Sequence, residues 1–178
     1  MSTDVVVLNG GSSSGKSSIA RALQGLLPTP FLTFGVDTLI QAVPPALSQD
    51  AAGIVVTSDG NVLPGAAFRR LENAWYRGLA AIARAGIGIV LDEVFLGAAA
   101  SQLRVRTAFQ GLQVLWVGVR CSPVLATSRE AARRDRVTGM AAGQADSVHV
   151  GVEYDLQVDT SVMSAEDCGR LIAGRVDA

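Results

Sequence analysis

Lysine is nearly absent from this chain: of its 15 basic residues only Lys16 is a lysine, which leaves 14 arginines. Histidine occurs once, at His149, so there is no basis for a histidine-based metal cluster or a Ser–His triad, and a structural role is expected for it. The two cysteines, Cys121 and Cys168, lie far apart and form no CxxC pair. They are expected to be reduced structural thiols, which excludes a disulfide scaffold. Excess charge is missing as well. A net charge of −1 supplies no global field to hold nucleic acid or an anionic membrane. Long apolar runs are missing despite a mean hydropathy of +0.34. The longest uncharged stretch, 22–36, has 15 residues and is broken by Pro28 and Pro30. A membrane span needs about 20 apolar residues, so none is expected. Asp4 directly before an apolar run is the reverse of a basic signal-peptide flank, which points to the cytoplasm.

What is present is the composition of a folded domain. Hydrophobic residues make up 49% of the 178 and charged residues 17%, which excludes a disordered chain. No internal repeat, low-complexity run or linker interrupts it, so one domain over 1–178 is expected. The lone lysine falls in Gly10-Gly11-Ser12-Ser13-Ser14-Gly15-Lys16-Ser17, a match to G-x-x-x-x-G-K-[ST]. Codon bias would explain the arginines but not the lysine that remains. Residues 5–8 are a run of apolar residues without alternation, as expected for a strand buried on both faces. Ile19, Ala22, Leu23, Leu26 and Leu27 then recur at helical spacing until Pro28. In such a strand–loop–helix unit, glycines let backbone N–H groups turn inward around phosphate oxygens. Lys16 would reach the β- and γ-phosphates, and the Ser17 hydroxyl would ligate Mg²⁺. The competing account is a serine-rich turn capping a helix, which needs no lysine.

Strands and helices alternate beyond the loop. Strands are expected at 31–34, 87–91, 114–119 and 156–158, and helices at 68–85, 98–109, 124–132 and 165–176. That order argues for a three-layer αβα fold with a mostly parallel central sheet. Asp92 ends an apolar strand at the carboxyl edge, where open α/β sheets bind ligands and where an acid can hold Mg²⁺. Glu93 would point to the opposite face if the pleat continues. Asp37 also lies just past a strand end. It is either the N-cap of a helix starting at Thr38 or a base that accepts a proton from a hydroxyl attacking phosphate, and the two are compatible.

Arg129, Arg133 and Arg136 share one face if a helix runs through them, while Glu130 can pair with Arg134. A bound triphosphate would compensate that arginine face, and a solvated basic helix end is the alternative. The glycines within 137–143 suit a moving lid, so an arginine-rich lid is expected near 129–145. Between 44 and 66 the chain is irregular. A small hairpin is expected around Ser58-Asp59-Gly60-Asn61, forming an insertion that could wall an acceptor pocket. Trp75 and Trp116 fall in periodic apolar segments and are expected in the core.

With these residues placed, the chain resembles the chloramphenicol phosphotransferase family over essentially its full length. The resemblance rests on the segment Leu8 to Ser17, on Phe34-Gly35-Val36-Asp37, and on Val94-Phe95-Leu96-Gly97. It continues through 114–121, Arg136-Val137 with Gly139-Met140-Ala141-Ala142, and Gly151-Val152-Glu153-Tyr154-Asp155. It implies an adenylate-kinase-like P-loop fold that uses ATP and Mg²⁺ to phosphorylate the antibiotic's primary hydroxyl. Gly10, Gly11, Ser12, Ser13, Ser14, Gly15, Lys16 and Ser17 would bind ATP, Asp37 would be the catalytic base, and Arg133 and Arg136 would attend the phosphates. Antibiotic resistance or self-protection in a bacterial cytoplasm would follow. Two alternatives stand beside it. One is a P-loop kinase of another small hydroxyl metabolite such as a nucleoside or sugar acid; an anionic one would want basic residues in the acceptor region, and none occurs from 31 to 68. The other is an NTP-binding regulatory module without transfer.

Overall fold

A computed structural model describes residues 3–48, 53–57, 62–132 and 139–176. Five parallel strands form the central sheet in the order β2-β5-β1-β6-β7: β1 Val5–Asn9, β2 Phe31–Gly35, β5 Gly88–Glu93, β6 Val114–Arg120 and β7 Leu156–Asp159. A separate antiparallel pair, β3 Ile54–Val56 and β4 Val62–Pro64, is the expected hairpin. The four residues expected at its turn lie outside the described ones.

The missing alternation in β1 has a direct cause: both faces of the sheet are covered. Val6 and Leu8 join Val90, Val117 and Val119 under α1 (Lys16–Leu26) and α8 (Ala165–Val176), which contribute Ile19, Leu23 and Ile172. Val5 and Val7 join Ile89, Leu91 and Trp116 on the other face. There α4 (Ala66–Arg84) and α5 (Ala99–Ala108) supply Tyr76, Leu79 and Val105. Each fully buried aliphatic side chain contributes roughly 1.5–3 kcal/mol, so the two clusters dominate the stability. Trp116 is core as expected, whereas Trp75 is half-buried with its ring edge-on to Phe34.

Because α1 follows β1 on one face and α5 follows β5 on the other, a crevice opens at the carboxyl ends of these neighbouring strands. α2 (Val36–Ala42) and α7 (Met140–Ser147) line it, while the short α3 (Pro45–Ser48) packs on β3 and α6 (Pro123–Ala131) on α7. No helix among the described residues is long and apolar enough to cross a membrane. Cys121 and Cys168 are free and buried.

One expectation changes: Asp37 is not the N-cap of its helix. Gly35 takes that position and Asp37 sits inside the first turn, because the extended backbone of β2 passes into α2 two residues earlier than spacing suggested. The helix expected at 124–132 is α6, which runs to Ala131, and Glu130 is buried on its last turn. Its carboxylate accepts from the Gly139 and Ala141 amides at 2.8 Å each and so caps the start of α7.

Candidate active site

The loop between β1 and α1 is wound so tightly that its glycines are steric requirements. A Cβ on Gly10 would collide with the Val119 carbonyl, and Gly15 holds φ at +94° before the first turn of α1. No side chain caps that helix end, so the first-turn amides stay available to an anion. The hydroxyls of Ser12, Ser13 and Ser14 are buried without a hydrogen-bond partner among the described residues. Orphaned polar atoms are costly in a protein interior, and three side by side fit a cradle whose polar ligand completes them. Their oxygens and the uncapped amides suit the phosphate groups of a nucleotide.

Lys16 is 6% exposed and folds back over this loop. Its Nζ donates to the Gly11 carbonyl at 2.9 Å and stands 3.7 Å from Asp92 Oδ1. The Ser17 hydroxyl donates to Asp92 Oδ2 at 2.7 Å. Asp92 owes its position to register: its Cα partners are Leu8 on β1 and Gly35 on β2, so it is held between the two strands that lead into the P-loop and α2. No cluster of three or more metal-ligating side chains exists among the described residues. A hydroxyl and one carboxylate nonetheless suit Mg²⁺, which binds through one or two protein oxygens with phosphates and water completing the shell.

These groups line one cavity of about 460 Å³, within the range that accommodates small-molecule ligands. Ser12, Ser13, Gly15, Lys16, Ser17 and Asp92 lie on one side of it, and Asp37 and Thr38 on another. Ile40, Ile54, Val62, Val94 and Leu96 give it an apolar wall, with the hairpin contributing Ile54 and Val62. Asp37 is exposed to this cavity from the first turn of α2.

Arg129 is elsewhere. Its guanidinium donates to the Thr160 hydroxyl and to the Thr160 carbonyl, both at 3.0 Å, and it does not line the cavity. The Thr160 hydroxyl in turn donates to the Ser14 carbonyl at 2.7 Å. Arg129 is thus joined to the P-loop backbone through Thr160. Arg133 and Arg136 lie outside the described residues.

Several residues at the site carry no local sequence signal. Gln144 of α7 accepts from the Ser12 amide at 2.9 Å and lines the cavity with Met140. Asn9, 1% exposed, donates to the Val148 carbonyl and Tyr154 hydroxyl and accepts from the Phe95 amide, tying the end of β1 to two connections. His149 packs beside this hub with Nδ1 2.6 Å from the Tyr154 hydroxyl. Burial first, then the positive charge of Arg120, lowers its pKa to about 4, so it is neutral at pH 7. Glu93 continues the pleat onto the face opposite Asp92 and is wholly buried. Burial, then the charges of Glu72 and Asp92, raises its pKa to about 8, against a hydrogen bond from Tyr76.

Comparison with known proteins agrees with this geometry. The profile of the family described as chloramphenicol phosphotransferase-like protein matches residues 3–177. A protein of Mycobacterium tuberculosis, found in two strains and named "Putative O-phosphotransferase", is 32% identical over 181 residues, covering 93% of this chain and 79% of the relative. Among solved structures, a sugar kinase from Janibacter superposes with a TM-score of 0.74 at 16% identity, covering 98% of this chain and 95% of that one. The Mycobacterium tuberculosis APS kinase, in complex with AMPPNP and APS, gives 0.65 at 14% identity with 99% of both chains covered. At such identities the structures speak for the fold alone, and it is the expected P-loop kinase fold. With the family match spanning nearly the whole chain, the protein belongs to the chloramphenicol phosphotransferase-like family and is a kinase-type phosphotransferase.

Proposed function

We propose that the protein transfers the γ-phosphoryl group of ATP to a hydroxyl of a small, largely apolar molecule, with Mg²⁺ as cofactor and chloramphenicol or a close relative as acceptor. The observation that carries this is the single cavity in which Lys16, Ser17, Asp92 and Asp37 meet opposite an apolar wall. When bound, Mg²⁺ neutralises charge on the phosphate oxygens.

The chain's own residues do the rest. Lys16 exchanges its Gly11 carbonyl for phosphate oxygens, and the amides and serine hydroxyls of the loop surround the phosphates. Ser17 and Asp92, already joined by a hydrogen bond, would hold the metal. Asp37 accepts the acceptor hydroxyl's proton as the new oxygen–phosphorus bond forms and the bond to the ADP leaving group breaks. Arg133 and Arg136 attend the transferring group, by family resemblance. Arg129 positions the loop and touches no phosphate. The hairpin's Ile54 and Val62 exclude water and hold the acceptor. Resistance or self-protection within a bacterial cytoplasm is the corresponding role.

A second possibility draws on one observation. Arg69 of α4, outside the stretch in which basic residues are lacking, lines a recess beside the cavity, as a hydroxy-acid acceptor would require. Acceptor-dependent ADP release tests the proposal. With ATP and Mg²⁺ present, added chloramphenicol should accelerate ADP release in the wild type and have no effect in Lys16→Ala. Equal release with and without any hydroxyl compound would reduce the protein to an NTP-binding or hydrolysing module.

A further inference from the structure

The second glycine of the loop is one that its motif does not ask for. In G-x-x-x-x-G-K-[ST] only Gly10 and Gly15 are specified, so Gly11 stands where any residue is allowed. Its φ lies outside the left-handed region, so its backbone does not call for glycine either. What the position lacks is room for a side chain. A Cβ there would lie 3.1 Å from the backbone carbon and oxygen of Gln144 and 3.2 Å from the Ala145 nitrogen. Helix α7 therefore lies directly against the P-loop, with Glu130 holding its start.

That approach delivers one polar side chain to the cavity. Gln144 is 7% exposed and lines the cavity together with Met140, one turn earlier on the same face of α7. Its Oε1 accepts the Ser12 N–H at 2.9 Å. The Ser12 nitrogen belongs to the same peptide unit as the Gly11 carbonyl, to which Lys16 Nζ donates at 2.9 Å. A trans peptide points its C=O and its N–H to opposite sides, so Lys16 and Gln144 hold the two edges of a single peptide plane. Because a backbone N–H only donates, the carboxamide oxygen faces it and Nε2 is turned the other way. Nε2 has no hydrogen-bond partner among the described residues, and it is not sealed in the interior as the three serine hydroxyls are. A half-used carboxamide on the cavity wall has two N–H groups to offer.

We propose that Gln144 is a further catalytic residue, whose Nε2 donates to an oxygen of the transferring γ-phosphoryl group while its Oε1 keeps the Ser12 amide. This rests on the nucleotide-binding part of the proposed function and not on the identity of the acceptor. Its neighbours single out the γ-phosphate. Lys16, which reaches the β- and γ-phosphates, holds the other edge of the same peptide, and Asp37, the proposed base, lines the same cavity. A ligand that completes the serine hydroxyls, the α1 amides and Nε2 together only accepts hydrogen bonds, as phosphoryl oxygens do. The Ser12 N–H, by donating to the carboxamide oxygen, polarises it and strengthens Nε2 as a donor. Gln144 thus carries the donor set of the loop one bond further into the cavity.

Nucleotide binding separates contact with the γ-phosphate from mere bracing of the loop. Calorimetric titration of the full chain with ADP and with AMPPNP, each with Mg²⁺, compares wild type, Gln144→Met and Gln144→Glu. Gln144→Met should weaken AMPPNP about tenfold, the loss of one hydrogen bond to a charged group, and leave ADP nearly unchanged. Gln144→Glu keeps an acceptor for the Ser12 amide, so it remains informative where Gln144→Met fails to fold. At pH 8 it turns a carboxylate oxygen toward the phosphate and should lose more AMPPNP affinity than Gln144→Met. Protonation supplies an O–H donor in its place, so its AMPPNP affinity relative to wild type should recover at pH 5. Equal weakening of both nucleotides would make Gln144 a brace of the loop, and weakening of neither would make it a bystander; each result overturns the proposal. With chloramphenicol as acceptor, both variants should lower kcat about 10²–10³-fold at pH 8, the cost of removing one preorganised donor, and an unchanged kcat overturns the catalytic role. If chloramphenicol is not phosphorylated, only the acceptor falls and the comparison of ADP with AMPPNP decides. Wild type that binds neither nucleotide would overturn the nucleotide reading and this inference with it.

Discussion

Ser17 and Asp92 stand 75 residues apart in sequence, yet the serine hydroxyl donates to the Asp92 carboxylate at 2.7 Å. The pair is assembled by two neighbouring parallel strands, one leading into the P-loop and one ending in Asp92. If Mg²⁺ enters between them, Asp92 orients its shell. Asp92→Asn should then raise the Mg²⁺ concentration for half-maximal turnover about 10–100-fold, the usual cost of losing a group that orients a metal shell. A magnesium titration of initial rates measures it. An unchanged midpoint would leave Asp92 as no more than a hydrogen-bond partner of Ser17.

Asp37 reaches the cavity from the first turn of α2. As the base, its replacement by Asn should lower kcat about 10²–10⁴-fold and leave the KM for ATP nearly unchanged. As a helix-end charge alone it would cost only about 0.3–1 kcal/mol of stability. Steady-state kinetics beside a denaturant titration separate the two.

Thr160 joins the P-loop to Arg129. Thr160→Val keeps the shape but removes the donor to the Ser14 carbonyl and strands the Arg129 N–H, which should cost about 1–3 kcal/mol of stability. The looser loop should also raise the KM for ATP more than it lowers kcat. A stability loss with unchanged nucleotide kinetics would make the Arg129–Thr160 contact purely structural.

His149 carries a pH signature. Its native pKa of about 4 lies below the ordinary 6.5, so below pH 6.5 the unfolded chain binds a proton that the native state refuses. Its contribution to stability is complete above pH 6.5 and is lost as pH falls toward 4. Between pH 8 and pH 5 the wild type should lose about 2 kcal/mol more than His149→Gln. Urea unfolding of both proteins at the two pH values checks this, and parallel losses would place the imidazole's titration in its ordinary range.

What could be read from the sequence was whatever lies contiguous along the chain. The P-loop is one local motif, and strand β5 announces Asp92 by ending an apolar run. The unalternating valines of β1 report a sheet covered on both faces. Contacts that close between distant segments left no such trace. Gln144 meets the Ser12 amide across 132 residues and Thr160 meets the Ser14 carbonyl across 146. Each is a polar side chain answering a backbone group, and nothing in local spacing marks it. The Glu130 carboxylate, which answers the Gly139 and Ala141 amides at the start of α7, is of the same kind. Arg69 escaped notice because nothing local marks it among the polar residues of a long amphipathic helix, and only the fold brings it to the recess beside the hairpin.

The identity of the product bears most directly on the central claim. Chloramphenicol incubated with ATP, Mg²⁺ and the wild-type protein should gain the mass of one phosphoryl group. Phosphorus NMR should show a monoester coupled to the protons of the primary alcohol carbon, and Lys16→Ala should yield neither. An unchanged acceptor mass alongside a well-folded, ATP-binding protein would contradict chloramphenicol as the acceptor. The same failure across a panel of small hydroxyl compounds would contradict phosphoryl transfer to a small-molecule hydroxyl altogether.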